Sequence, residues 1–243
     1  MGRLWQVQYR YYWQLVKYRF WLVTLSISVA SCLVGTQLWG DICLNIVSKF
    51  FMGPTTVDLH QHEIVFPSLW LCYYLFPLII VGNSFQVLWK QHVVQLLGYH
   101  FSKAHFGQLN LILVNLVAFL YTILGIGSMA MISCVNNTVP LRIGVLQGIN
   151  AWLIWGLLVY AEVLLILLFQ LLGNLINTAL GLFGPTVLLV LTIYWDNRYN
   201  PLNLSVFQRA SDLNMTTILV LVGSLLSLIL SYYYYYYRYC EVY

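Results

Sequence analysis

Six apolar runs, each close to 20 residues long, recur along a chain of 243 residues and decide what it can fold into. About 20 apolar residues in a helix match the roughly 30 Å hydrocarbon core of a bilayer. The runs cover residues 20–38, 66–85, 109–132, 147–168, 178–194 and 215–232. A chain in lipid must satisfy its backbone hydrogen-bonding groups internally, and these runs lack the roughly 10-residue alternation of barrel strands, so each is read as a helix. The expected fold is all-α: a polytopic membrane protein with six transmembrane helices. The fifth run is short and carries Gly181, Gly184 and Pro185.

Only 7% of the side chains are charged, against about 25% in soluble domains, which excludes a soluble fold. The 11 basic residues are too few and too scattered for a phosphate-tracking surface, so nucleic acid is not expected as a partner. Their placement does set an orientation, because basic residues gather on the cytoplasmic side. Six crossings put both termini on one side. With that side cytoplasmic, the inner segments hold seven basic residues against Glu241, and the outer segments hold four against five acidic ones. The expected location is therefore the cell membrane, multi-pass, with cytoplasmic termini.

Three segments outside the runs carry patterns of their own. In residues 1–19, Arg3, Gln6, Arg10, Gln14 and Lys17 fall within a wedge of about 80° on a helix, while Trp5, Tyr9, Tyr12 and Val16 cluster elsewhere. This predicts an N-terminal amphipathic interfacial helix, 1–19, whose Arg3, Arg10 and Lys17 meet anionic lipid headgroups, ahead of a transmembrane domain 20–243. Between the second and third runs lies a polar stretch with Trp89, Lys90, His92, His100, Lys103 and His105, long enough for two or three helical turns on the cytoplasmic side. The six-tyrosine run Tyr232 to Tyr237 reads as an aromatic anchor at the lipid–water boundary. On the outer side, Ser205 to Leu213 is expected as a short helix leaning on the membrane.

Glu162 is the one formally charged residue well inside a run. A carboxylate near the bilayer centre costs roughly 2.5 to 3.5 kcal/mol on insertion scales, which neighbouring Leu, Ile and Val offset, so the helix inserts with its acid facing protein or water. A structural hydrogen bond and a place in a transport path both fit. Gly144, Gly148, Trp152, Gly156 and Tyr160 recur at steps of four, as do Gly223, Ser227 and Ser231, a spacing that lets helices approach closely within one bundle or between two copies.

Other candidates are weaker. His60, His62 and Glu63 form an incomplete ligand set, and no metal is expected. Cys43 and Cys134 both fall on outer segments, but their pairing is not readable from sequence. No G-x-x-x-x-G-K-[ST], HExxH or G-x-S-x-G motif occurs, nor an intramembrane pair of acids, so no catalytic set and no bound nucleotide are expected on this chain.

The layout resembles the type-2 ABC-transporter permease superfamily. The likeness lies in the amphipathic N-terminal helix, a first span opening at Phe20, the run Gly98-Tyr-His-Phe-Ser-Lys-Ala-His-Phe-Gly107 leading into the third span, and a short fifth span followed by an outer segment, 196–212, that dips toward the membrane. The resemblance implies a transport subunit rather than an enzyme, with ATP and Mg bound by a separate P-loop ATPase subunit. It implies docking of that ATPase on a coupling helix at about Val87 to His105, and a second permease subunit, identical or different. The substrate class it implies is an antimicrobial peptide, as in lantibiotic or bacteriocin export and immunity. An ATP-independent immunity or assembly factor remains the alternative.

Overall fold

The computed structural model describes residues 2–37, 45–54, 58, 66–87, 103–135, 141–143, 146–195, 197, 199–209 and 215–240. They form a helical bundle of α1 (Gly2–Gln37), α2 (Ile46–Phe50), α3 (Ser68–Val81), α4 (Lys103–Val135), α5 (Ile149–Ile176), α6 (Thr178–Tyr194) and α7 (Met215–Cys240), with a 3-10 turn at Pro201–Ser205. A two-residue antiparallel ladder pairs β1 (Arg142–Ile143) with β2 (Leu146–Gln147) just before α5. Five helices among the described residues are long and apolar enough to cross a membrane, and the shorter α6 coincides with the fifth apolar run. A multi-pass, all-helical membrane protein is therefore what the chain builds.

The expected boundary near residue 20 is not a break. No Gly or Pro lies between Arg3 and Val34, so nothing interrupts the backbone hydrogen bonds and α1 runs on for 36 residues, about 54 Å. One stripe of it, Gln8, Tyr12, Val16, Phe20, Val23 and Ile27, is buried against the bundle. Tyr12 and Val16, which the sequence groups apart from the cationic wedge, pack into protein, with Tyr12 stacked on Phe85 at 5.0 Å between centroids. The cationic face stays outward: Arg10 and Gln14 are exposed, and the Lys17 Nζ lies 4.8 Å from the Tyr18 ring centroid. The Arg3 side chain lies outside the described residues.

In α3, Pro77 lacks an N–H and so leaves the Tyr73 carbonyl without its helical donor; the Tyr121 hydroxyl on α4 donates to it at 2.5 Å. The helix ends at Gly82, whose φ of +46° favours glycine, and one more turn covers 84–87. Side chains of α5 satisfy the carbonyls exposed at this end. Gln170 Nε2 donates to Leu78 O at 2.9 Å and Asn174 Nδ2 to Gly82 O at 3.1 Å, while Gln86 Nε2 donates back to Asn174 O at 2.7 Å.

Helices α5 and α6 form a hairpin with Asn177 alone between them. Its N–H donates to Gly173 O at 2.9 Å, and its side chain accepts from the Ala179 N–H at 3.1 Å, so one residue ends one helix and caps the next. Four residues to either side, Gly173 and Gly181 bring the backbones together: a Cβ on Gly173 would lie 2.8 Å from Gly181 Cα. We expect Gly173→Ala to wedge the hairpin open and cost about 1–3 kcal/mol, the usual range for overpacking. An unchanged thermal midpoint in detergent would contradict this.

The tyrosine run is divided between buried and exposed positions. Tyr232 and Tyr236, one turn apart on α7, are buried, while Tyr234, Tyr235 and Tyr237 are exposed. Tyr236 lies over Gly107 of α4, where a Cβ would come within 2.9 Å of the ring, and Asn110 Nδ2 reaches the Tyr232 hydroxyl at 3.5 Å. Of the steps-of-four glycines, Gly223 has nothing within 4 Å of a built Cβ and Gly156 has only Ile126 Cγ2 at 4.0 Å, so neither marks a tight contact within the bundle. Gly148 instead serves as a turn, with φ +64° ahead of α5. Gly144 lies outside the described residues.

Candidate functional site

Glu162 lies thirteen residues into α5, about 20 Å along the helix axis from Ile149, and is fully buried. Its two carboxyl oxygens take different donors. The Tyr74 hydroxyl of α3 donates to Oε2 at 2.5 Å, and the backbone N–H of Ser205, at the end of the 3-10 turn, donates to Oε1 at 2.9 Å. Ser205 is held a second time, because its Oγ accepts from the indole N–H of Trp70 at 2.9 Å. Trp70 and Tyr74 stand one turn apart on α3, with ring centroids 5.1 Å apart. A segment that follows α6 therefore folds back between helices to meet the middle of α5.

The sequence of that segment explains the reversal. Asn200 accepts from the Leu202 N–H at 3.2 Å, Pro201 supplies a pre-set φ at the first helical position, and the turn begins there rather than at Ser205. The expected helix from Ser205 to Leu213 is replaced by this turn at 201–205 and a non-helical bend through Arg209; 210–214 lie outside the described residues. Leu202, Leu204, Ser205 and Val206 are buried. Burying so much backbone demands compensation, and the Ser205 N–H finds it in the Glu162 carboxyl group.

A second clamp holds the same segment. Arg209 donates from Nε to Pro54 O at 3.1 Å, from Nη1 to Thr192 O at 3.1 Å and Asn203 Oδ1 at 2.8 Å, and from Nη2 to Ile193 O at 3.0 Å. Thr192 and Ile193 lie in the last turn of α6, where unpaired carbonyls carry the negative end of the helix dipole and a guanidinium fits best. The Phe207 N–H donates to Phe51 O at 3.0 Å, and a Cβ on Gly53 would fall 2.5 Å from Val206 Cγ1, so the turn after α2 lies directly against the reversed segment. Between them stands an aromatic cluster: Phe51 meets Tyr73 at 5.1 Å and Trp155 at 5.5 Å, and Trp155 meets Phe207 at 5.7 Å. This end of the bundle is closed by a cap of its own chain.

The stretch read from sequence as a docking surface does not converge on this centre within the described residues. Trp89, Lys90, His92 and His100 lie outside them; Lys103 opens α4 with its side chain outside them, and His105 is half-buried on the first full turn. Arg19 comes close to the same end of the bundle, since a Cβ on Gly82 would lie 2.8 Å from its Nη1. His60, His62, Glu63 and Cys43 are likewise outside the described residues, among which no cluster of metal-binding side chains occurs and Cys32, Cys72 and Cys134 are free thiols. Sequence reasoning singled out Glu162 but not Tyr74, Trp70, Ser205 or Arg209. Comparison with protein-family models, with curated proteins and with solved structures finds no match.

Proposed function

We propose that the chain is the membrane-spanning permease subunit of an ATP-driven transporter, with six crossings, cytoplasmic termini and its ATPase on a separate polypeptide. The observation that carries this reading is the cap: the segment 201–209 and the turn after α2 fold back over one end of the bundle and are latched by Glu162 and Arg209. A bundle that only anchored a partner would gain nothing from burying backbone against an intramembrane acid, whereas a transport path needs one end that closes and is released. On the positive-inside orientation the cap faces outward and the Trp89 to His105 stretch faces the ATPase. ATP-driven closure of the partner pushes on that stretch and rocks the helices, and an amphipathic peptide or lipid leaves once the Ser205–Glu162 contact breaks. Glu162 is then a latch, not a catalytic group.

Co-purification of the tagged chain from its own cells tests the proposal. The expected result is a P-loop ATPase in the complex, lost when Trp89, Lys90, His92 and His100 are together changed to Ala. Transport that persists with that variant, or protection of the cells against a peptide with no ATPase bound, would overturn it, and the second outcome would favour the ATP-independent immunity factor.

A further inference from the structure

An amide stands on an outward face of the bundle at hydrocarbon depth with its donors unused. Asn115 is exposed, twelve residues into α4, about 18 Å from Lys103 along the axis and inside the apolar run 109–132. Its neighbours on the same face, Ile112 and Phe119, are exposed, as are Leu153 and Leu157 on the adjoining face of α5. The Tyr160 hydroxyl of α5 donates to Asn115 Oδ1 at 2.6 Å, and the Phe119 ring meets Tyr160 edge-on at 6.1 Å. The amide is thus held in one orientation. Oδ1 keeps a second lone pair, and Nδ2 donates to nothing among the described residues.

Acyl chains offer no acceptor, so a carboxamide left facing them is costly, and polar side chains at this depth pair across helices. We propose that this α4–α5 face is the contact between two copies of the chain, with the Asn115 side chains of the two copies paired across a two-fold axis. A carboxamide is its own complement. Each Nδ2 donates to the other copy's Oδ1, so one residue supplies two bonds, and each Oδ1 then accepts from both the opposite amide and its own Tyr160. No other partner is required to supply a matching group at a matching depth. The flanking side chains are apolar on both copies, which leaves no like charges to repel, and Gly156 leaves room beside the seam. The assignment does not depend on the transport reading, since it concerns the purified chain alone.

The test is a monomer–dimer titration of the full chain in lipid vesicles at graded protein-to-lipid ratios, read by energy transfer between labelled copies. The parent is expected to dimerise, and Asn115→Leu, made in a Tyr160→Phe background so that no hydroxyl is left without its acceptor, to weaken the dimer roughly tenfold against Tyr160→Phe alone, the equivalent of two average interhelical hydrogen bonds. Leu226→Ala on the exposed face of α7 is expected to change nothing. A parent that stays monomeric at every ratio, or an Asn115→Leu chain in that background that dimerises as Tyr160→Phe alone does, overturns the proposal.

Discussion

Glu162→Leu is expected to destabilise the bundle by about 2–6 kcal/mol, because it strands two buried donors, the Tyr74 hydroxyl and the Ser205 N–H, at about 1–3 kcal/mol each. Leu fills a similar volume, so the loss is of hydrogen bonding rather than packing. Glu162→Gln keeps one acceptor oxygen and replaces the other with a donor that faces the Tyr74 hydroxyl, so a smaller loss is expected. The local consequence matters as much as the total. With the Ser205 N–H released, the 3-10 turn is held by fewer contacts and opens more often, and Val206, buried in the parent, becomes more accessible. A chain freed of its five cysteines and carrying Val206→Cys reports this through maleimide labelling: slow in the parent background, fast with Glu162→Leu. Equal labelling and an equal melting midpoint in both would show that the carboxyl does not hold the segment.

Much of the architecture is legible from hydropathy because lipid leaves the backbone so few options. Among the described residues each of the six apolar runs contains a helix, and the bounds of α6 are those of the fifth run. Glu162 was legible too, since one acid among apolar neighbours stands out. Its partners were not, because their separations in sequence are long: Tyr74 lies 88 positions away and Ser205 lies 43. A backbone N–H has no sequence signature at all. The amphipathic pattern of 1–19 is ambiguous, for a stripe of Tyr12 and Val16 suits a protein surface as well as a lipid one, and only packing against α3 and α4 decides between them. Six consecutive tyrosines likewise hide a helical period: Tyr232 and Tyr236 differ from Tyr234 only by which side of α7 meets Gly107 and Asn110.

Arg209→Met is the sharper test of the cap, because one side chain there holds two separate stretches of backbone and the Asn203 amide. Methionine keeps the bulk of the stem and removes every donor, leaving Pro54 O, Thr192 O, Ile193 O and Asn203 Oδ1 to find others. Hydrogen bonds from a charged donor contribute about 1.5–3 kcal/mol each, and the half-buried site lets water recover part of that, so a net loss of about 3 kcal/mol is expected. Arg209→Lys is expected to fall between the two: a single ammonium can serve the α6 carbonyls or Pro54 O, but it lacks the fork that reaches both. Because Arg209 and Glu162 secure the same segment from opposite ends, once either is gone the segment has already come away and the second change has less left to release. The double variant Glu162→Leu with Arg209→Met is therefore expected to cost clearly less than the sum of the two singles. Strict additivity in the melting energies would mean that the two contacts act on separate parts of the fold, and the cap would then not be one cooperative unit.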